Sequence, residues 1–329
     1  MNKFWKEMGI AAVMGLFVPA VLLAAVVAIA QNKPVPSNMR EEELIETSVS
    51  TQTEPMEITT IMVQTADGQT VEMELNDYLT SVLLAEMPVS FEEEALKAQS
   101  VVARTYIMRA AGGASKHDQA AVCTESGCCQ GYMAAEDFLA KGGKERDVQR
   151  IRKIVAATDG QILTYDGKLI EATYFSCSGG MTEDAVAVWE TDVPYLQSVE
   201  SPGEEHAAHY TDTVSFAASE FATRLGMSLA GEPSKWFSDR TYTAGGGVDT
   251  LKIGTETFSG TQLRKLLGLR STAFEIKADD DTIIITTHGY GHRVGMSQYG
   301  ADAMAASGST YPEILAYYYQ GTELTVYTD

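Results

Sequence analysis

The stretch LNDYLTSVLLAEMPVSFEEEALKAQSVVARTY occupies residues 75–106 and decides how the chain around it folds. Its apolar residues recur at helical spacing in NDYLTSVLLAEM and again in FEEEALKAQSVVARTY, which predicts two successive helices. Acidic residues lie in the first turn of the second helix, where the helix dipole favours them. Pro88 separates the two helices, because the residue before a proline is disfavoured in the helical conformation.

Short strands and helices surround this pair. ITTIMVQ and TVEMEL alternate apolar and polar residues around TADGQ, which predicts a hairpin before the first helix. Further predicted strands are QILTYDG (161–167), LIEATYFS (169–176), DTLKIG (249–254) and DTIIITT (281–287). Further predicted helices are ASEFATRLG (218–226), TQLRKLLG (261–268), SQYGADAMAAS (297–307) and YPEILAYYY (311–319). Because strands and helices do not alternate strictly, we predict an α+β fold with two lobes of mixed helix and sheet.

The N-terminal residues predict a membrane anchor. Residues 9–30 carry no charge and are long enough to cross a bilayer as a helix. Lys3 and Lys6 precede this run, so we expect a cytoplasmic tail at residues 1–8 and export of everything after the anchor. The pattern Ala28-Ile29-Ala30 leaves a cleaved signal peptide as the alternative, although the apolar run exceeds the usual length of a signal-peptide core.

Composition sets the remaining organisation. Residues 31–57 are rich in Pro, Ser, Thr and Glu without an apolar period, which predicts a flexible stalk. The ectodomain then covers residues 58–329, and its location is extracytoplasmic. The chain has 24 basic and 45 acidic residues and a formal net charge of -21, which argues against a phosphate-binding surface. We therefore expect no nucleic-acid partner.

Glu86 is the candidate acid/base residue. It follows Leu79 by seven residues and Val82 by four, which places its carboxyl on the apolar face of the first helix. Partial desolvation at that position favours the protonated, proton-donating form of a carboxyl, as a general acid requires. The structural alternative is an ion pair with Arg104 or Arg109 of the next helix.

KHDQAAVCTESGCCQGY, residues 116–132, contains candidate metal ligands. His117, Cys123 and Cys129 have the spacing H-x5-C-x5-C, and imidazole and thiolate are good zinc ligands. Adjacent Cys128 and Cys129 are not expected to reach one ion together, so we predict three protein ligands and an open or water-filled fourth position. Because exported proteins often oxidise their cysteines, a disulfide is the alternative.

Two further segments carry polar residues between predicted elements. In TYFSCSGG, Cys177 and a histidine suggest a cysteine nucleophile, but a partly buried cysteine at a strand end is the simpler interpretation. The Ser178-Gly179-Gly180 turn lets backbone amides approach a ligand closely. In HGYGHRVGMSQYGA (288–301), Ser297 is a candidate helix cap. The candidate partners of sugar hydroxyls and N-acetyl groups there are His292, Gln298 and Tyr299. Trp189 is interpreted as a core residue.

Five motifs occur in one order along the chain, from about residue 60 to the end. They are LNDYLTSVLLAEMP, EALKAQSVVARTY, FSCSGGMTEDAVAVWETDVPYLQSV, GTQLRKLLGLRSTAF and GYGHRVGMSQYGA. This ordered set resembles the stage II sporulation protein D family. The resemblance implies a peptidoglycan lytic transglycosylase of endospore-forming bacteria, a single-pass membrane protein of the mother-cell engulfing membrane. It also implies two partners, a cell-wall amidase and a membrane scaffold protein.

The implied reaction cleaves the bond between N-acetylmuramic acid and N-acetylglucosamine in glycan strands without stem peptides, leaving 1,6-anhydro ends. Because the internal hydroxyl of the substrate is the nucleophile, no second carboxylate is needed. The alternative is a wall-binding protein that enhances the partner amidase without cutting. A peptidase using Cys177 or Ser297 is a third, weaker alternative.

The resemblance also assigns residues. Glu86 matches the essential glutamate before Met-Pro, and one structural Zn²⁺ falls on His117, Cys123 and Cys129, with Cys128 spare. The residues that we predict for the glycan-binding groove are Gln99, Arg104, Tyr106, Ser178, Gly179, Gly180, His292, Ser297, Gln298 and Tyr299. The chain departs from the family pattern in two places. Cys177 stands where the family more often has threonine, and Arg293 where it more often has glycine.

Overall fold

The computed structural model describes residues 59–327. The predicted tail, anchor and stalk (residues 1–57) lie outside them, and within the described part no helix is both long and apolar enough to span a bilayer. The α-helices are α1 Leu75–Glu86, α2 Glu93–Arg109, α3 Ala135–Ala140, α4 Glu145–Ala157, α5 Ala185–Trp189, α6 Ala218–Arg224, α7 Gly260–Leu267, α8 Gln298–Ala306 and α9 Tyr311–Tyr318. A π-helical turn covers Ala110–Ala114 and a 3₁₀ turn covers Pro233–Lys235.

The strands are short and belong to several small sheets. They are β1 Thr60–Gln64, β2 Thr70–Glu74, β3 Val122–Cys123, β4 Gln161–Tyr165, β5 Lys168–Leu169, β6 Tyr174–Phe175, β7 Gly180–Met181, β8 Glu200–Ser201, β9 Thr211–Ala217, β10 Phe237–Ser238, β11 Thr250–Ile253, β12 Glu256–Ser259, β13 Phe274–Asp279, β14 Thr282–His288, β15 Met296–Ser297 and β16 Glu323–Val326. The mixed helix-and-sheet fold predicted from the sequence is confirmed.

Helix α2 lies at the centre of the first of two hydrophobic cores. It contacts α1, α4, α8, α9 and β4. Its small residues Ala95, Ala98 and Ala103 are fully buried, so neighbouring elements can approach it closely from every side. Helix α4, which the sequence analysis did not predict, covers α1 and α2 with Ile151 and Val155. The pair of helices recognised first is therefore the framework of this core.

The second core is formed by the segment between β9 and β14. Strands β9, β14 and β13 make an antiparallel sheet, against which α6 and α7 pack. Phe221, Leu263, Ile283 and Ile285 fill its interior. The first core is formed by residues that come before this segment and by residues that come after it. The segment that forms the second core is therefore inserted into the sequence of the first.

Two parallel strand pairs bring distant segments to the end of α1. Strand β3 pairs with β1, which places Cys123 beside the first hairpin. Strand β15 pairs with β6, which places the glycine-rich loop before β15 beside Tyr174 and Phe175. The candidate site is formed where these segments meet.

Candidate functional site

A cleft of about 750 Å³ lies at the C-terminal end of α1. Its walls come from α1, α2, the cysteine segment, β6, α5, α7 and the glycine-rich loop before β15. The lining residues with polar, charged or aromatic side chains include Glu86, Tyr106, Lys116, Cys129, Gln130, Glu171, Tyr174, Trp189, Arg264, Tyr290, His292 and Gln298. A cleft in which several polar groups converge between apolar and aromatic side chains is a usual form of a ligand site.

Glu86 is the last residue of α1, and its half-buried carboxyl lines the cleft. The backbone N–H of Gly131 donates a hydrogen bond to Glu86 Oε1. The alternative of an ion pair with the next helix is wrong. The guanidinium of Arg104 lies 3.7 Å from Asp159, and that of Arg109 lies 3.6 Å from Glu171.

Tyr174 of β6 lies near the same carboxyl. Its hydroxyl is buried. Burial is the larger cause, and the nearby Glu86 carboxylate the smaller one, of a pKa of Tyr174 well above its usual value. The phenol therefore stays protonated at neutral pH. Because Tyr174 stays neutral, Glu86 is the group of this pair that can exchange a proton with a ligand in the cleft.

His117, Cys123, Cys128 and Cys129 converge beside the cleft. Their ligand atoms all lie within 4.8 Å of one another, with His117 Nε2 at 3.3 Å from Cys129 Sγ and 3.7 Å from Cys128 Sγ. Ligands of a tetrahedral zinc site lie about 3.5–3.8 Å apart, since Zn–N and Zn–S bonds are about 2.0–2.3 Å long. The four residues therefore fit a zinc ion. All four cysteines of the chain are free thiols, so the disulfide alternative is not seen.

The position of Cys128 corrects the prediction that adjacent cysteines do not reach one ion. The backbone amides of Cys128 and Cys129 both donate to the carbonyl of Glu125, at 3.0 and 2.9 Å. This tight turn brings the two side chains to the same side of the chain, whereas in an extended segment they would point in opposite directions. Cys128 is thus the fourth member of the cluster and not a spare cysteine.

The thiols of the cluster differ in acidity. Burial opposes ionisation of Cys129, but hydrogen bonds from His117 and Tyr106 outweigh it and lower its pKa to about 7. Burial raises the pKa of Cys123 to about 12. Because the thiolate is the form that binds metals, zinc would displace a proton from Cys123 on binding.

The metal-ligand cluster is connected directly to Glu86. Cys129 lies two residues before Gly131, whose N–H holds the Glu86 carboxyl. Helix α1 also contacts this segment at its other end, where the Tyr78 hydroxyl donates to the carbonyl of Cys123 at 2.8 Å. Ordering of the cysteine segment therefore fixes the donor that orients Glu86.

His292 lies in the glycine-rich loop and is neutral at physiological pH. Burial and the nearby Arg264 guanidinium lower its pKa to about 4. The backbone N–H of Val294 donates to His292 Nδ1 at 3.1 Å, so the ring proton is assigned to Nε2. The neutral His292 ring lines the cleft, and its Nε2 proton faces the backbone carbonyl of Tyr174.

We expect His292 to remain neutral, with its proton on Nε2, down to about pH 4. The folded pKa lies below the usual 6.5, so the stability that neutral His292 contributes is complete above pH 6.5 and is lost as the pH falls through 4. Two-dimensional ¹H–¹⁵N spectra of the imidazole nitrogens measure this directly. A doubly protonated His292 at pH 5.5 would contradict it.

Of the predicted groove residues, the structure brings Tyr106, His292 and Gln298 to the cleft. Two others from α2 lie elsewhere, because this helix is surrounded by protein. Gln99 is fully buried in the first core. Arg104 is also buried, and its guanidinium donates to the carbonyls of Thr158 at 2.6 Å and Val155 at 3.3 Å, at the end of α4.

The Ser178-Gly179-Gly180 turn binds an internal carboxylate and lies outside the cleft lining. The backbone amides of Ser178 and Gly179 donate to Glu204 Oε2 at 2.6 and 3.2 Å, and Ser178 Oγ donates to the same atom at 2.9 Å. The amide of Gly180 donates to Ser178 Oγ at 2.9 Å. The backbone amides that the sequence analysis assigned to the glycan-binding groove therefore bind Glu204 instead.

Ser297 and Tyr299 also lie outside the cleft lining. Ser297 is buried and caps α8, where its Oγ accepts from the backbone N–H of Gly300 at 3.2 Å. The ring of Tyr299 packs against Phe91, with ring centroids 4.9 Å apart, and against His206. Both residues therefore hold α8 in place.

Several cleft residues were missed by the sequence analysis, among them Tyr174, Trp189, Arg264 and Tyr290. The interpretation of Trp189 as core is wrong, since the side chain is 40% exposed. It ends α5, a helix of a little over one turn, and Glu190 follows in a left-handed conformation with φ 57°. No local pattern signals these positions.

Comparisons with known proteins identify the family of the chain. A family model described as "Stage II sporulation protein" matches residues 64–165. Stage II sporulation protein D of Bacillus subtilis is 36% identical over 99% of this chain and 96% of its own length. The chain belongs to the stage II sporulation protein D family. The protein of the same name from Bacillus amyloliquefaciens is 39% identical over 80% of the chain and 77% of its own length.

The chain is also similar to a protein with a different name. The amidase enhancer of Bacillus subtilis is 30% identical over 76% of the chain, which corresponds to 40% of that protein. The similarity therefore covers about three quarters of the chain but less than half of the amidase enhancer.

Cys177, the first departure from the pattern of the stage II sporulation protein D family, is buried and not activated. Burial raises the pKa of its thiol to about 11. Its backbone is bridged to Tyr290, and within residues 59–327 its thiol is paired with no histidine. These features contradict the cysteine-peptidase alternative.

Arg293, the second departure from the family pattern, is buried and hydrogen-bonds several segments of the chain. Its guanidinium donates to Glu183 at 3.2 Å and to the carbonyls of Ser178, Met181 and Gly245 at 2.6–2.8 Å. Its backbone is left-handed, with φ 67°, which is the conformation that glycine adopts most readily. In this stage II sporulation protein D relative, Arg293 fixes the loop that carries His292.

Proposed function

We propose that this protein is a peptidoglycan lytic transglycosylase that cuts glycan strands between N-acetylmuramic acid and N-acetylglucosamine. The observation that carries the proposal is the position of Glu86 on the wall of the cleft. Its carboxyl is held by one backbone N–H, and within residues 59–327 it forms no ion pair. A carboxyl without a cationic partner can both donate and accept a proton during one turnover.

Glu86 acts first as acid and then as base. In the first step it protonates the glycosidic oxygen while the bond from that oxygen to C1 of the muramic sugar breaks. In the second step the carboxylate takes the proton from the C6 hydroxyl of the same sugar as its oxygen bonds to C1. Water is not consumed, and the product carries a 1,6-anhydro end. Tethering gives the hydroxyl an effective concentration on the order of 10⁵ M or more, which replaces a second carboxylate.

The neighbouring polar groups bind and orient the sugar. The amide of Gln298 is suited to hydroxyl and N-acetyl groups, since it donates without adding charge, and the neutral ring of His292 lines the cleft beside it. Tyr106 keeps its proton and lines the cleft, whereas the buried hydroxyl of Tyr174 stays beside Glu86. His292, Gln298 and Tyr106 are the positioning groups of the proposal.

We further propose one structural Zn²⁺ bound by His117, Cys123, Cys128 and Cys129. Four protein ligands leave no open position, which is typical of structural zinc sites. A bound ion would supply the cross-link that orders the cysteine segment. The chemistry would remain with Glu86, positioned through Gly131.

The location and partners follow from the same proposal. The apolar residues 9–30 anchor the protein in the mother-cell engulfing membrane, and the ectodomain acts on the extracytoplasmic glycan. An amidase that removes stem peptides and a membrane scaffold protein would act beside it. Co-purification of either partner with the full-length protein from sporulating cells measures this part of the proposal.

The second candidate function is a non-catalytic enhancer of an amidase, which the name of the similar Bacillus protein favours. Incubation of the full-length protein in detergent with stem-peptide-free glycan separates the two functions. A transglycosylase shortens the strands, as size-exclusion chromatography measures. A binding protein leaves their length distribution unchanged, and that result would overturn the catalytic proposal.

We expect Gly131→Ala to lower the cleavage rate about a hundredfold, since misplacement of a catalytic group by about 1 Å has this effect. A Cβ at residue 131 would lie 2.8 Å from Glu86 Oε1 and displace the carboxyl. Gly127→Ala is the matched control on the same segment, because a Cβ there meets nothing within 4 Å. Equal cleavage rates of both variants would contradict the positioning role of Gly131.

A further inference from the structure

A second basin of about 440 Å³ adjoins the catalytic cleft. Trp189, Arg264 and His292 line both cavities, so the two lie side by side at these residues. The basin extends from there over α7, and its other polar lining residues are Thr261, Lys265 and Thr272. A strand bound at Glu86 can therefore continue past His292 into this basin.

The charge of the basin is opposite to that of the protein. Arg264 and Lys265 line it together with no acidic residue, although the chain has a net charge of -21. Within residues 59–327 neither cation forms an ion pair, and Arg264 Nε is buried without a hydrogen-bond acceptor. A partly buried guanidinium without an anionic partner is costly unless a ligand supplies one.

We propose that this basin binds the carboxylate of a muramyl residue, with Arg264 as its principal contact and Lys265 as a second cation. The proposal rests on the proposed function, because it assigns a second subsite to the same glycan strand. It makes Arg264 a specificity residue that selects strands by the charge of their muramic sugars.

The chemistry of the glycan explains why this contact selects. The lactyl group of muramic acid ends in a carboxylate when the stem peptide has been removed, and in a neutral amide when the peptide is attached. Arginine matches a carboxylate with two parallel N–H donors, and an amide offers a single neutral oxygen. The exposed ring of Trp189 provides an apolar face for the sugar beside the charged contact.

Binding to a non-cleaving protein tests the proposal independently of catalysis. Titration calorimetry uses full-length Glu86→Gln protein in detergent and two tetrasaccharides of alternating N-acetylglucosamine and N-acetylmuramic acid. One has free lactyl carboxylates and the other has the same groups converted to methylamides. We expect the carboxylate form to bind about tenfold more tightly, as is typical of a charge-assisted hydrogen bond.

Variants then assign the preference to its residue. Adding Arg264→Gln should bring the two affinities together, whereas Arg264→Lys should keep part of the preference. Lys277→Gln removes an exposed cation outside both cavities and should leave the tenfold ratio unchanged. Circular dichroism confirms that each variant is folded.

Three results would overturn the inference: equal affinities for both tetrasaccharides, no binding of either, or a preference that persists in Arg264→Gln. A protein that shows the preference but never cuts glycan would refute the proposed function and keep the subsite. A protein that cuts glycan but binds both tetrasaccharides equally would support the proposed function and refute the subsite.

Discussion

Glu86→Gln is expected to abolish the release of 1,6-anhydro fragments from glycan, with a loss of at least about a hundredfold in rate. An amide can neither protonate the leaving oxygen nor accept the proton of the attacking hydroxyl. The side-chain oxygen that accepts from Gly131 is retained in glutamine, so the loss reports on proton transfer and not on folding. Mass spectrometry of the released fragments measures it.

Two controls define this result. Glu86→Gln should retain its zinc and its melting temperature, because the carboxyl is half-buried and forms no ion pair in the described part of the chain. Glu256→Gln removes an exposed carboxylate outside the cleft lining and should cleave at the parental rate. Cleavage by Glu86→Gln at the parental rate would show that another group is the acid.

Removal of the metal-ligand cluster should have the second-largest effect. We expect Cys123→Ser to lose bound zinc, and its melting temperature to fall by about 10 °C, since structural zinc contributes folding free energy directly. Cleavage should fall as well, because the segment that carries Gly131 loses its cross-link. Metal analysis, thermal melting and glycan cleavage are measured on the same preparation.

Substitution of the other cysteines tests which thiols bind the zinc. Cys128→Ser should weaken zinc binding, because the geometry includes this thiol in the cluster. Cys177→Ser should keep one zinc per chain, since Cys177 is not a member of it. Parental zinc content in Cys123→Ser would contradict the metal site. A reducible cross-link involving Cys123 in the purified parental protein would restore the disulfide alternative.

The sequence was sufficient for much of the fold because its strongest signals are local. The hydrophobic period of α1 and α2, the hairpin before them and the stop at Pro88 all depend on near neighbours in the chain. Helix α4 shows the same kind of signal. Val148, Ile151 and Val155 recur at helical spacing, so this helix could have been predicted as well.

The site was only partly predictable because its remaining parts depend on tertiary contacts. Glu86 and the cysteine cluster are marked by residue type and spacing, and both lie at or beside the cleft. The role of Ser178 depends on Glu204, which lies 26 residues away. Arg264 reaches the cleft from the inserted second core, and no short-range pattern reports that approach.

The central claim is that the glycan is cut without water, and isotope labelling tests it most directly. Full-length protein is incubated with stem-peptide-free glycan in water enriched in heavy oxygen, and the new ends are weighed by mass spectrometry. We predict 1,6-anhydro ends lighter by one water than hydrolysed ends, with no heavy oxygen incorporated. New reducing ends that carry heavy oxygen would identify a hydrolase and contradict the mechanism proposed for Glu86.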